Sequence, residues 1–320
     1  MPQPKLLVTR KLPDAVEARI RRDYDARLND EDILYGPDDL VRQARDMDGV
    51  LTCGTERWTP EVVAQLPERV RIIASFSVGY EHIDLPACRA RGIVATNTPD
   101  VLTEATADIA MLCLLGAARR AWEGETMLRQ GHWRRVNMTD LLGLDLMGKV
   151  LGIVGMGRIG QALARRARGF GLAIHYHNRH PLPEEAAQGA SYHGTLEGLL
   201  PHCNFLSLNC PGGAPTRHLI NERTLALLPP GAVLVNTARG TLVDDDALIA
   251  ALRSGRLFAA GLDVYAGEPS LHEGYHDLPN CFLLPHLGSA TVETRNAMGF
   301  RALDNLDAFF AGRTAPDALT

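Results

Sequence analysis

The sequence predicts an α/β protein with parallel sheets in two domains, the first of them discontinuous. Three observations carry this. Short, continuously apolar runs alternate with helical patterns almost throughout the chain, as expected of strands covered on both faces. At 320 residues the chain is long enough for two domains of roughly 100–200 residues each. The final pattern, Thr291 to Phe310, is one long amphipathic helix with no strand after it, free to return and cover the first series.

The first series contains the strand candidates Leu6–Thr9, Gly49–Thr52 and Ile72–Ser75. The helical stretches Pro13–Asp23, with proline at a helix start, and Asp38–Arg45 lie between them. A long amphipathic stretch, Glu104 to Arg120, follows. The second series has strand candidates Val150–Val154, Ala173–His177, Phe205–Leu208, Ala232–Val235, Phe258–Leu262 and Phe282–Leu284. Its helices include Arg158–Arg168 and Asp244–Arg253. Pro99 and the Leu287–Ser289 turn are natural crossover points. They give a first domain of residues 1–99 and 288–320, with residues 100–287 inserted as a second.

Composition narrows the function. A chain that is 46% hydrophobic and 22% charged can bury a core, so a mostly disordered protein is excluded. A net charge of −5 argues against nucleic acid as a partner. The N-terminal residues lack a cleavable signal pattern, and the most apolar helical run, Ile109 to Ala118, is too short to span a bilayer. The six cysteines form no CxxC pair, which fits reduced thiols in a cytoplasmic protein. The eleven histidines make no spaced cluster with cysteines or carboxylates; His175 and His177 alternate along a strand without an evident third ligand, so no metal is expected.

The sharpest motif is Gly155-Met156-Gly157-Arg158-Ile159-Gly160, placed after one strand candidate and opening a helix. Gly155 permits a tight turn, Gly157 lets backbone approach a pyrophosphate, and Gly160 lets helix pack on strand. The helix start offers N–H groups and a positive dipole end to phosphates. The inserted domain is thus expected to bind a dinucleotide in a Rossmann-like fold. About twenty residues past such glycines, an NAD site usually carries an acid for the ribose 2′-hydroxyl. Here the strand ends in Asn178, Arg179 and His180. Asn does not repel a 2′-phosphate and Arg can pair with it, which favours NADP(H), with NAD(H) still usable. An exposed loop arginine is the alternative reading of Arg179.

The later strands end in polar groups, where open α/β sheets build their sites. Arg239 follows one strand, Asp263 and Glu268 the next, His286 the last. Singly, Arg239 is as well read as an ion-pair partner, Glu268 as a solvated acid and His286 as a loop histidine. Their coincidence beside a dinucleotide motif carries the functional reading.

Together with Ser77-Val78-Gly79-Tyr80-Glu81-His82-Ile83-Asp84, Asn236-Thr237-Ala238-Arg239-Gly240, Gly261-Leu262-Asp263-Val264-Tyr265, Gly267-Glu268-Pro269 and Pro285-His286-Leu287-Gly288-Ser289, these motifs resemble the D-isomer-specific 2-hydroxyacid dehydrogenase family over nearly the whole chain. Within it, Asn178-Arg179 and Ser289 resemble the glyoxylate/hydroxypyruvate reductase branch. The resemblance implies two Rossmann-like domains, a discontinuous substrate domain and an inserted dinucleotide-binding domain, with the active site in the cleft. It implies that Arg239 holds the substrate carboxylate or polarises its keto oxygen, that His286 is the general acid for reduction, and that Glu268 orients and charges the imidazole. Backbone N–H groups of Val78 and Gly79 would grip the carboxylate. Ser289 would tune His286 or touch substrate, helix N-capping being the alternative. Thr106 would lie near the cofactor phosphates, Cys210 and Pro211 on the nicotinamide ribose side, and Asp263 at the carboxamide with Thr237 and Ala238 nearby. Gly288 would flank the cofactor.

The expected function is reversible, NADPH-preferring reduction of a small 2-keto acid, glyoxylate or hydroxypyruvate, to the D-2-hydroxy acid. Family members embrace a second subunit with the segment matching Trp122 to Leu146, where Trp133 can complete the partner's pocket, so a homodimer is implied; a loop packed on its own first domain is the alternative. Two other readings remain: the same chemistry on a larger 2-keto acid or phosphite, and a nucleotide-sensing regulator like the C-terminal-binding co-repressors.

Overall fold

The computed structural model describes residues 3–320; Met1 and Pro2, at the start of the expected first domain, lie outside the described residues. The elements run β1 (Lys5–Val8), α1 (Asp14–Asp23), β2 (Asp25–Arg27), α2 (Pro37–Gln43), β3 (Gly49–Thr52), α3 (Pro60–Gln65), β4 (Ile72–Ser75), α4 (Leu85–Ala90) and β5 (Val94–Thr96). There follow α5 (Thr103–Ala118), α6 (Ala121–Arg129), β6 (Val150–Val154), α7 (Arg158–Gly169), β7 (Ala173–His177), α8 (Glu184–Ala187), β8 (Ser191–His193), α9 (Leu196–Leu199) and β9 (Phe205–Leu208). The chain closes with α10 (Glu222–Leu225), β10 (Ala232–Asn236), α11 (Asp245–Arg253), β11 (Leu257–Leu262), β12 (Cys281–Leu283) and α12 (Val292–Phe310).

Two compact units result, one of Met1–Leu102 with Ala290–Thr320 and one of Thr103–Ser289. The first holds a five-stranded sheet in the order β2-β1-β3-β4-β5, all neighbours parallel. Successive residues of one strand go to opposite faces. Leu7, Val50 and Ile73 join the cluster under α2, α3 and α4, while Leu6, Val8, Leu51 and Ile72 join Ala302, Leu303 and Leu306 of α12. The last helix therefore covers the open face of the first sheet, which requires the chain to cross back.

The second unit holds a seven-stranded parallel sheet, β12-β11-β10-β9-β6-β7-β8. Strand order reverses between β6 and β9, and in such sheets ligands bind at the carboxyl ends beside this reversal. Helix α5 is more deeply set than an amphipathic surface helix: Thr106, Ala107, Ala110, Met111, Cys113, Leu114, Gly116, Ala117 and Ala118 are all buried, because β10, β11 and α7 enclose it. A Cβ at Gly261 of β11 would stand 2.4 Å from the Cys113 carbonyl oxygen, so helix and strand are in direct backbone contact.

Three features go beyond what the sequence announces. β2, β5 and β8 are strands that the apolar pattern does not announce; each has three residues and an edge position. Helix α6 begins after Arg120, in the left-handed region at φ +53°, and has no buried residue. The segment from Trp122 to Met147 instead exposes Leu128, Trp133, Val136, Met138, Leu142 and Met147, each by more than half. All six cysteines are free thiols. Among the described residues, no helix is long and apolar enough to cross a membrane.

Candidate active site

The second unit's site is built where its central strands end. After β6, Gly155 turns at φ +93°, and a Cβ there would lie 2.6 Å from the Cys210 amide nitrogen. Glycine is therefore required twice at this position, by conformation and by the turn after β9 packed against it. Met156 is buried. Gly157, Arg158 and Ile159 open α7, and a Cβ at Gly160 would meet the Gly155 carbonyl at 2.5 Å, so the helix start sits hard against the turn. Nothing lies within 4 Å of where a Gly157 Cβ would stand. That open space lies over the N-terminal turn of a helix, whose first N–H groups have no intrahelical partner.

Two further features favour a dinucleotide here. Asn209 Oδ1, after β9, and Thr237 Oγ1, after β10, are buried with no hydrogen-bond partner among the described residues. An orphaned buried oxygen costs about 1–3 kcal/mol, so a polar ligand laid across these strand ends would stabilise both. The cradle and its orphaned oxygens fit a nicotinamide dinucleotide.

Asn178 does more than leave out a carboxylate. Its Oδ1 accepts from the Met156 amide at 2.7 Å, tying the end of β7 to the glycine turn. Arg179 and His180 are exposed beyond it, and the Arg179 guanidinium has no ion pair among the described residues.

At the other strand ends, Asn236 closes β10 and shapes the Arg239 turn. Its Oδ1 accepts from the Ala238 amide at 3.0 Å and its Nδ2 donates to the Arg239 carbonyl at 2.9 Å. Arg239 Nη1 donates to the Ala238 carbonyl at 2.7 Å. Gly240 must be glycine, since a Cβ there would lie 1.9 Å from the Tyr265 carbonyl carbon. This contact seats the loop after β11 against the Arg239 turn.

That loop carries Glu268. Its Oε1 accepts from the Tyr265 amide at 2.7 Å, and its Oε2 lies 2.7 Å from His286 Nδ1. The Glu268 hydrogen bond pushes the His286 imidazole above its ordinary value; burial opposes this, while the Glu268 and Asp263 charges add to it. Burial would raise Glu268, but the His286 hydrogen bond and charge, the Tyr265 amide and Arg239 hold it below the usual range. Arg239 is thus near enough for both to feel its charge. The pairing uses Nδ1, so Nε2 is the imidazole nitrogen left for substrate.

His286 sits at φ +55°, a left-handed conformation that costs a non-glycine residue about 1 kcal/mol or more. Asp263 holds the turn in place: its two carboxylate oxygens accept from the Leu287 and Gly288 amides at 2.6 and 2.8 Å. Thr106 Oγ1 donates to the Gly288 carbonyl at 3.1 Å. The resemblance assigned Asp263 to a carboxamide and Thr106 to phosphates. In the structure both also bond the histidine turn, and each keeps acceptor capacity for a further partner. Burial pushes the Asp263 carboxyl above its usual value.

Cys210 is half-buried, its thiol pushed up to about 11 by burial, and Pro211 is exposed. Ser289 is half-buried; capping of α12 falls to Thr291, whose Oγ1 accepts from the Thr294 amide at 3.0 Å. In the first unit, Val78 and Gly79 are half-buried in the turn after β4. Sequence reasoning assigned no role to Asn209 or Asn236; an asparagine closing a buried strand next to a glycine turn is the signal that would have found them. The structure also brings His193 and His202 against His175, with ring centroids 5.1 and 5.4 Å away. Among the described residues no histidine, cysteine and carboxylate group is arranged to hold a metal.

The sequence model of the D-isomer specific 2-hydroxyacid dehydrogenase NAD binding domain matches residues 111–288. The glycerate dehydrogenase of Hyphomicrobium methylovorum is 46% identical over 321 residues, covering 100% of both chains. A glyoxylate reductase of Thermococcus onnurineus is 41% identical, covering 98% of this chain and 95% of its own. The crystal structure of an NADPH-dependent glyoxylate/hydroxypyruvate reductase from Sinorhizobium meliloti, in complex with NADP and malonate, superposes with a TM-score of 0.90 at 37% identity, covering 99% and 97% of the two chains. A family match over more than half the sequence, relatives aligned end to end and a shared fold place this chain in the D-isomer specific 2-hydroxyacid dehydrogenase family.

Proposed function

We propose that this chain reduces a small 2-keto acid, glyoxylate or hydroxypyruvate, to the D-2-hydroxy acid, reversibly and with NADPH in preference to NADH. The observation that carries the reading is the His286–Glu268 pair at 2.7 Å, set beyond the same sheet edge as Arg239 and the glycine turn.

Gly155 to Gly160, Asn209, Thr237 and Ala238 would hold the dinucleotide. A bound dihydronicotinamide supplies the hydride to the keto carbon. Arg239 draws electron density toward the keto oxygen and binds the carboxylate, since a planar guanidinium pairs with such oxyanions. His286, its charged form favoured by Glu268, gives a proton from Nε2 to the keto oxygen, and in the oxidative direction takes it back. Asp263 and Thr106 hold the turn that carries the imidazole. Val78 and Gly79 take the substrate carboxylate through backbone N–H groups.

The cofactor preference rests on Asn178 and Arg179. The asparagine adds no negative charge, and the unpaired guanidinium beside it suits a 2′-phosphate. The NADP complex of the Sinorhizobium relative supports this reading, as the names of the glycerate dehydrogenase and glyoxylate reductase relatives support a small hydroxy or keto acid. Initial rates on glyoxylate, hydroxypyruvate, pyruvate and a bulky aromatic 2-keto acid, each with NADPH and NADH, test it. The expected result is the highest kcat/KM for one of the first two acids with NADPH, by at least about tenfold over NADH, as one charge-assisted hydrogen bond implies. Turnover confined to large acids, or equal use of both cofactors, would refute it.

A second copy of the chain would cover the apolar side chains exposed between Trp122 and Met147, since a patch of this kind marks an interaction surface.

A further inference from the structure

In the first unit, the turn after β4 is held by an ordered set of hydrogen bonds. Ser77 Oγ donates its hydrogen to the Gly79 carbonyl at 2.5 Å. A hydroxyl has one hydrogen, so at the 2.7 Å contact between Ser77 Oγ and Ser75 Oγ, Ser77 accepts and Ser75 donates. Ser75 then has none left for His82, and at their 3.0 Å contact His82 Nε2 must be the donor. The direction of the whole chain is thereby set, from His82 through Ser75 and Ser77 to the Gly79 carbonyl. Ser75 is wholly buried and His82 nearly so, in surroundings where such bonds are strong and polarise one another.

The neighbouring carbonyls are held as well. Asn97 Nδ2 donates to the Val78 carbonyl at 2.8 Å, and the Thr98 amide to the Ser77 carbonyl at 2.9 Å. Asn97 is backed by the fully buried Asn305 of α12, whose Nδ2 reaches the Asn97 carbonyl at 3.4 Å and Asp317 Oδ2 at 2.9 Å. The carbonyls of Ser77, Val78 and Gly79 are therefore all bonded within the protein, while the amides of Val78 and Gly79 donate to nothing among the described residues. Successive amides of a turn that have no partner of their own are suited to an anion.

We propose that Ser77, ordered by Ser75 and His82, is a positioning residue for the substrate carboxylate: it ties the Gly79 carbonyl back into the turn and so, together with the bonds to the Ser77 and Val78 carbonyls, holds in place the peptide units whose Val78 and Gly79 amides meet the anion. This rests on the reading of the protein as a 2-keto acid reductase. Ser77 does not touch the reacting atoms, so its removal should weaken capture of the carboxylate and leave chemistry in the filled site nearly intact.

The test compares the wild type with Ser77→Ala and Ser77→Thr, checked first for equal unfolding midpoints. Kinetics use glyoxylate and its methyl ester, and calorimetry uses oxamate, an unreactive small carboxylate, with cofactor present. For Ser77→Ala, the expected result is a rise of about 3–10-fold in KM for the acid, as loss of one hydrogen bond implies, with kcat little changed. The ester should show no such rise, oxamate binding should weaken by the same factor, and Ser77→Thr should restore both. An unchanged KM and oxamate affinity in Ser77→Ala would overturn the proposal, as would an equal loss for acid and ester, which would mark a purely structural role. A wild type that turns over no 2-keto acid but loses oxamate affinity on Ser77→Ala would sink the functional reading and leave this inference standing.

Discussion

Replacing Glu268 by glutamine should move the pH dependence of reduction downward and slow reduction roughly tenfold on its alkaline side. The structure sets the magnitude. Glu268 Oε2 and His286 Nδ1 are 2.7 Å apart, a hydrogen bond to a charged group worth about 1.5–3 kcal/mol. At 1.4 kcal/mol per factor of ten, its loss would shift the imidazole's proton equilibrium toward the neutral form by roughly 10–150-fold. The His286 side chain is 54% exposed and that of Glu268 33%, so solvent screens the pair and the smaller shift applies. Asp263 still favours the imidazolium in the variant, and Arg239 still opposes it. Glutamine keeps an oxygen for the Tyr265 amide, so the loop has reason to stay in place.

Reduction needs His286 protonated, so kcat/KM for the keto acid is full below the imidazole pKa and falls as pH rises through it. In the wild type that fall lies above the ordinary histidine value, because the Glu268 hydrogen bond raises the pKa. In Glu268→Gln it should come at lower pH, leaving reduction roughly tenfold slower on the alkaline side and little altered well below both values. Oxidation needs the neutral ring, so its rising limb should shift the same way. The assay is kcat/KM in both directions across pH 5 to 10 at saturating cofactor, with His286→Ala as a reference that should lose about 10²–10⁴-fold. Coincident alkaline limbs for wild type and Glu268→Gln, or near-normal reduction by His286→Ala, would refute the assignment of the proton to this pair.

Arg179→Ala should erode the NADPH preference chiefly through KM for NADPH, by roughly tenfold or more, since one charge-assisted hydrogen bond is removed far from the reacting carbon. Asn178→Asp is a sharper probe than the sequence alone suggested: the carboxylate can still accept from the Met156 amide, so it adds charge without loosening the turn, and it should weaken NADPH relative to NADH in steady-state kinetics. In sedimentation at micromolar concentration the wild type should run as a dimer. A variant carrying Met138→Asp and Leu142→Asp should run as a monomer with an unchanged circular dichroism spectrum, because both residues are exposed in the single chain.

Much of this protein was legible in its sequence, and the reason is burial on both faces. The strands β3, β4, β6 and β9 lie where the apolar runs lie, because central parallel strands have no solvent face to interrupt the run. The glycine turn, Arg239, Glu268 and His286 were equally visible, since an open α/β sheet places chemistry at its strand ends and those positions can be counted along the chain. The edge strands β2, β5 and β8 were not: each is three residues long and owes its extended state to a neighbour on one side, which local sequence does not report. Only the tertiary structure decided how polar side chains are used. Asp263 holds amides 24 and 25 residues away, Asn178 an amide 22 residues back, and His82 turns a serine relay toward Gly79. A buried donor or acceptor takes the partner that packing brings within 3 Å, and that choice depends on the whole fold rather than on the residues beside it in sequence.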